Sequence, residues 1–406
     1  MHVGLVFLFM LVNYADKAVI GLSSVPIMRD LGLNNTQFGT LGSGFFLLFS
    51  VSGVAVGFAA DRVRTNVVML CMALVWATAL LPMIWVSSFA LLLASRVILG
   101  AAEGPSFPVA LHAVYKWFPD SRRALPTSIV ACGAAVGTGI IAPAITWIIV
   151  HHGWHAAFGT LGVAGLAWAA LWSIAAQDGP VDQASSLGDP EHRLPYRQLL
   201  LSRTALGVFI AGFGAYWVIS LNLVWLANYL MKGLHLVAAD AAWIIALPSL
   251  MQILLAPALA ALSQALTRRG VASRVSRGML GALCVITGGA ALACMSHLEM
   301  SAIKVFLIGL SFSIGSIIFT LGSTLIGEIS PPSQRGAMLG ITNSIHTLAG
   351  LCAPFIMGLF VDVGANPDAG FRTGFTYAGL WVAAAGLAAA FLIHPQADLQ
   401  RFRSAE

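Results

Sequence analysis

Apolar runs of about twenty residues, the length an α-helix needs to cross the hydrocarbon core of a bilayer, recur along almost the entire chain. They fall near 2–26, 38–60, 67–87, 90–114, 124–149, 155–175, 204–230, 240–263, 278–297, 301–326, 336–360 and 372–393. With 58% hydrophobic and 9% charged residues among 406, the chain cannot clothe a soluble globule in polar side chains, so lipid is its solvent. Inside lipid only helices and closed barrels satisfy every backbone polar group. Barrel strands alternate apolar and polar residues, whereas "LLFSVSGVAVGFAA" and "GLAWAALWSIAA" are apolar on every face. The expected fold is therefore an all-α polytopic membrane protein of twelve transmembrane helices.

Basic residues orient these helices. With a cytoplasmic N-terminus, the inner loops and tail hold Arg62, Arg64, Lys116, Arg122, Arg123, Arg193, Arg197, Arg203, Arg268, Arg269, Arg274, Arg277, Arg335, Arg401 and Arg403. The outer loops hold Arg29, Lys232, Lys304 and Arg372. Fifteen against four is the asymmetry of the positive-inside rule, with both termini cytoplasmic. The net charge of +5 then follows from topology and calls for no nucleic-acid partner. The first run lacks a basic leader and is interrupted by Asp16 and Lys17, so it reads as a retained span rather than a cleaved signal. Cys71, Cys132, Cys284, Cys294 and Cys352 all fall within predicted spans without metal-ligand spacing, and are expected to be buried small apolar residues. Neither a metal nor a cofactor is expected.

The longest polar stretch, 176–203, is rich in Asp, Pro, Gly and Ser and has six runs on either side. It divides the chain into an N-terminal six-helix bundle (1–175), a central cytoplasmic linker (176–203), a C-terminal six-helix bundle (204–394) and a cytoplasmic tail (395–406). The halves repeat one another: "FPDSRRALPTSIVACGAAVGTGIIAPAI" in the first corresponds to "SPPSQRGAMLGITNSIHTLAGLCAPFI" in the second. Six spans separate the copies, so the repeat is parallel and the bundles are pseudo-symmetric about the membrane normal.

Few residues interrupt the apolar runs. The first carries Tyr14, Asp16 and Lys17 near its midpoint, and the fourth carries Arg96 and Glu103. An ionised group inside a bilayer costs several kcal/mol, so such residues face a cavity or one another and are functional candidates. Arg96 and Glu103 are seven residues apart, two turns on one helix face. Two bases and two acids also suit a neutral structural network. Glu328, at the inner end of the tenth span, is expected to pair with Arg335 as a gate or structural contact.

Between the second and third runs, "GFAADRVRTN" resembles the loop signature of the major facilitator superfamily, through Gly57, Asp61, Arg62 and Arg64; Thr65 and Asn66 replace its closing basic pair. The resemblance implies a conformational latch built from Gly57, Asp61 and Arg62, with Arg123, Glu328 and Arg335 as further gating residues. "NYADK" in the first helix, "RVILGAAEGPSFP" in the fourth and the "WFPDSRRA" loop resemble the anion:cation symporter family, whose members include hexuronate, galactonate, glucarate, tartrate and phthalate transporters. That likeness implies the major facilitator fold, with Lys17 and Arg96 holding a substrate carboxylate, Asp16 and Glu103 carrying coupling protons, and Tyr14 lining the site. Lys17 stands where this family usually has Arg, exchanging a planar fork for a point charge. In the second half Tyr216 and Trp225 of the seventh helix, and Asn343 and His346 of the eleventh, are candidate substrate contacts; Ala227 and His346 depart from the usual pattern there.

The implied activity is proton-coupled symport of a small organic anion by a monomer in a bacterial cytoplasmic (inner) membrane, its partners being the anion, protons and the bilayer. Export of an anionic metabolite, siderophore or drug is the alternative on the same scaffold, although Ala142 before Pro143 breaks the Gly-Pro signature of drug antiporters. No nucleophile triad, metal-ligand set or phosphate loop points to an enzyme.

Overall fold

The computed structural model describes residues 2–59, 65–85, 88–118, 124–176 and 194–403, and every regular element among them is helical. α1 (His2–Leu22), α2 (Asn35–Ala59) and α3 (Thr65–Leu80) lead to α4, which runs Phe89–Glu103 and resumes as Ser106–Tyr115. α5 starts as Ala124–Ala135 and passes through a π-turn, Val136–Ile140, into the helix Ala142–Ala175; α6 begins where that helix breaks at Gly153. There follow α7 (Arg203–Gly233), α8 (Ala238–Arg268), α9 (Arg274–His297), α10 (Ala302–Ile329), α11 (Arg335–Val363) and α12 (Pro367–Leu392), then a short C-terminal helix, α13 (Pro395–Arg403). Among the described residues, ten continuous stretches are long and apolar enough to cross a membrane. Ile129–Ala175, 47 residues long, counts as two across the break, and α2 completes the twelve.

Local chemistry explains the interruptions. Gly153 has φ 83°, a backbone conformation that glycine adopts without steric cost, and it lets α5 turn directly into α6. α4 stops at Glu103 because Gly104-Pro105 follows, and proline has no N–H for the helical ladder. The Ser106 hydroxyl donates to the freed Glu103 carbonyl at 2.6 Å.

The described residues pack as two compact units, and these are not the two sequence halves. One joins Met1–Ser185 to Ser220–Leu250 and Gly350–Phe371; the other comprises Ser186–Ile219, Met251–Ala349 and Arg372–Glu406. In the first unit the last part of α7 and the end of α11 lie against α1 and α2 with almost no side chain between backbones. A Cβ on Gly21 would overlap the Leu223 carbonyl, and one on Gly39 would overlap the Pro354 carbonyl. The Trp225 indole donates to that same Pro354 carbonyl at 2.9 Å while its ring packs against Phe38 and Phe371.

Two expectations need correction. Glu328 pairs with Arg277, Nη1 to Oε2 2.7 Å, and also accepts from the Ser273 hydroxyl at 2.6 Å, so it ties α10 to the start of α9. The chain leaves the helix at Ser330, and Arg335 turns back to donate its Nε–H to the Ser330 carbonyl at 3.2 Å. Of the cysteines, Cys284 alone is buried in protein, whereas Cys71, Cys132, Cys294 and Cys352 lie on outward helix faces. A small apolar side chain is equally at home against lipid, which sequence cannot distinguish from a core.

Candidate functional site

The charged residues that break the apolar runs come together inside the first unit. α4 crosses α2 so closely that a Cβ on Gly100 would overlap the Phe45 carbonyl, and one on Gly104 the Phe49 carbonyl. Gly100 lies one turn beyond Arg96 and Gly104 directly follows Glu103, so the contact that locks the two helices also fixes the two charged side chains. The rings of Phe45 and Phe49 are carried to the cations: the Arg96 guanidinium carbon lies 4.6 Å from the Phe45 centroid, and Lys17 Nζ lies 5.2 Å from that of Phe49. α1 is seated on α5 by Gly133 and Gly137, where a Cβ would press on the Phe7 and Leu11 carbonyls.

Asn13, Asp16, Lys17, Arg96 and Glu103 are all buried, none more than 5% exposed, and Tyr14 is half-buried beside them. Lys17 Nζ donates to Asn13 Oδ1 at 2.7 Å, lies 3.5 Å from Glu103 Oε2 and sits 3.9 Å from the Tyr14 ring centroid. Neither oxygen of Asp16 or of Glu103 has a hydrogen-bond donor; Arg96 Nε and Nη1 and Asn13 Nδ2 have no acceptor. Unsatisfied buried polar groups are rare in native proteins, because each costs about 1–3 kcal/mol. Seven such atoms lie together in this one cluster. The Asp16 and Glu103 carboxyls come within bonding reach of each other, two acceptors that are satisfied once either carries a proton. The cluster therefore brings together a lysine, an arginine, an amide donor and two neighbouring carboxyls.

The remaining candidates are distributed. His346 is 3% exposed in the second unit, its Nε2 3.1 Å from the Val208 carbonyl and its ring lying over Gly212, where a Cβ would overlap it. Phe319 links it to Tyr216, with centroids 5.5 Å from the His346 ring and 6.1 Å from the Tyr216 ring. Asn343, one turn before His346, is exposed. Trp225 belongs to the first unit and its N–H is taken by Pro354. Gly57 falls within α2, while Asp61, Arg62 and Arg123 lie outside the described residues. Asn13 was not singled out by the sequence, although it stands four residues, about one turn, before Lys17. Among the described residues no group of three or more His, Cys, Asp or Glu side chains is placed to hold a metal ion.

The sequence profile of the Major Facilitator Superfamily matches residues 6–316 and 208–406. The chain belongs to this superfamily. Its twelve spans form the two pseudo-symmetric six-helix bundles of the major facilitator fold. A probable galactarate/D-glucarate transporter of Bacillus subtilis (strain 168) is 24% identical over 423 residues, covering 96% of this chain and 91% of that protein. The hexuronate transporter of the same strain is 24% identical over 394 residues, covering 95% and 91%. These relatives agree with the likeness of the first-half motifs to anion:cation symporters. A solved D-xylose-proton symporter superposes with a TM-score of 0.73 at 16% identity, covering 96% of each chain, which speaks for the fold alone.

Proposed function

We propose that this member of the superfamily carries a small organic anion, a carboxylate such as a sugar acid or aromatic acid, across a bacterial cytoplasmic membrane together with protons, as a monomer alternating between inward and outward access. The observation that carries this reading is the buried cluster of Lys17, Arg96, Asp16 and Glu103 with its unpaired donors and acceptors. Arg96 is free to grip a carboxylate in a site where little water competes. Glu103 stands against Lys17, so a proton arriving on Glu103 removes the lysine's counter-charge and releases the ammonium toward cargo. Loss of that proton restores the Lys17–Glu103 contact and expels the anion, which couples the two movements.

One proton with a monoanion moves no net charge; two protons move one positive charge, worth about 2.3 kcal/mol per 100 mV of membrane potential. The test is uptake by the Glu103→Gln variant in proteoliposomes. The glutamine cannot bind or release the coupling proton, so accumulation driven by an imposed pH gradient should fall to the level of counterflow, while exchange of anion across equal concentrations persists. Undiminished proton-driven accumulation would remove Glu103 from the coupling path.

A further inference from the structure

Asn13 and Lys17 sit one turn apart on the same face of α1, and their side chains are joined by the shortest contact Lys17 makes, 2.7 Å from Nζ to Oδ1. An ammonium has only donors, so the carbonyl end of the amide must be the end that faces it. The geometry therefore fixes which way the carboxamide points and leaves Nδ2, a two-proton donor on a side chain with 0% exposure, without any acceptor. Packing alone gives no reason to keep an amide here, since a buried donor left unmade is a standing cost. Around it the unpaired atoms on Arg96 and on the two acids describe the same unfinished hydrogen bonding.

We infer that Asn13 is a substrate-binding residue, whose Nδ2–H and the Lys17 ammonium together grip one oxyanion group of the cargo, two side chains doing what one guanidinium fork does. A lysine by itself offers a carboxylate a point charge with freely rotating donors, whereas a guanidinium offers two parallel N–H groups in a rigid plane. The Nζ–Oδ1 bond supplies the missing rigidity: it orients the ammonium and sets a second donor beside it. The ligand class that fits is an anion with two neighbouring acceptor oxygens, a carboxylate or a sulfonate. This inference rests on the anion-transport reading and adds the residue that makes a lysine sufficient at that position.

A double-mutant cycle separates this role from a structural one. The apparent KM for uptake of radiolabelled anions, with D-glucarate, D-glucuronate, phthalate and a short sulfonate as the probes, is measured for the parent, Asn13→Ala, Lys17→Arg and the double variant. Gel filtration and the unliganded melting temperature establish folding, and Asn13→Ser, which keeps an acceptor oxygen for Lys17 but loses the amide donor, serves as the second variant. The expected result is a KM raised about tenfold by Asn13→Ala or Asn13→Ser in the lysine background, and less than about threefold in the arginine background, where the guanidinium brings its own second donor. Equal losses in the two backgrounds, or no loss with lysine present, would overturn the assignment while leaving anion transport intact. Failure of the parent protein to transport any of the probes would instead sink the anion reading, and this assignment with it.

Discussion

At the scale of single residues, the same chemistry gives opposite roles according to whether the polar atoms are satisfied. Trp225 and Arg96 are both large, buried and polar-tipped, yet the Trp225 N–H ends on the Pro354 carbonyl, whereas two guanidinium nitrogens of Arg96 end on nothing in the protein. Trp225 is thus a fastener. Replacing it with Phe keeps most of the apolar area but removes the indole donor to the Pro354 carbonyl, and the expected cost is about 0.5–1.5 kcal/mol. A clear drop in melting temperature of the purified Trp225→Phe protein checks this; an unchanged melting temperature would mean that the hydrogen bond adds nothing. The charged residues of the site were legible in the sequence because each breaks an apolar run, where an ionised side chain must have a reason. Phe45 and Phe49 were not, since an aromatic residue in a span looks the same whether it faces lipid or a cation. Asn13 lay between these cases, polar enough to notice yet cheap enough in a helix to pass as packing.

At the scale of elements, the start of α2 is held by a dense set of hydrogen bonds. Its own residues close a capping box, with the Gln37 N–H donating to Asn34 Oδ1 at 2.8 Å and the Asn34 N–H donating to Gln37 Oε1 at 3.0 Å. The two N–H groups left over, on Asn35 and Thr36, donate to the carboxylate of Asp362 at 3.0 and 2.7 Å, and the side chains of both residues add further bonds. A helix end far along the chain therefore supplies the cap, and its negative charge suits the positive end of the α2 dipole. Asp362→Ala is expected to cost about 1–2 kcal/mol, read as a lowered melting temperature. Asp362→Asn, which keeps one acceptor oxygen, should recover part of that loss; equal melting temperatures for all three proteins would show the cap to be idle. The spans themselves were readable from apolar length, and α7 begins and ends within a few residues of the expected 204–230, at Arg203 and Gly233. The Asp362 cap was not readable, because a lone carboxylate at the end of a span is ordinary in any membrane protein and its partner is 326 residues away.

At the scale of the whole molecule, the first compact unit contains pieces from both sequence halves, and their contacts are ones that the proposed alternating-access cycle would have to undo. The sequence repeat divides the chain after its sixth span, but the backbone contacts at Gly21 and Gly39, together with the Asp362 cap, fasten the last parts of α7 and α11 to α1 and α2. Interfaces of this kind are held by close packing and hydrogen bonds rather than by the hydrophobic effect, since lipid is as apolar as the helices it would replace. They can part without exposing a large apolar surface to water. In the proposed alternating-access cycle, rocking of one bundle against the other would part them. A disulfide across the cap should then arrest transport. The Thr36 and Asp362 side chains meet, Oγ1 to Oδ2 2.5 Å, so the test places cysteines at these two positions in a background with the five native cysteines replaced by Ala or Ser. The oxidised Thr36→Cys/Asp362→Cys protein is expected to lose at least about tenfold in uptake rate and to regain it on reduction, while each single variant is indifferent to oxidant. Substrate binding from the side that remains open, measured by thermal shift on the crosslinked protein, should survive, because the bridge restrains one end of the helices and leaves the charged cluster untouched. Full uptake by the crosslinked protein would mean that this end stays closed throughout the cycle, and the moving contact would have to be sought elsewhere in the fold.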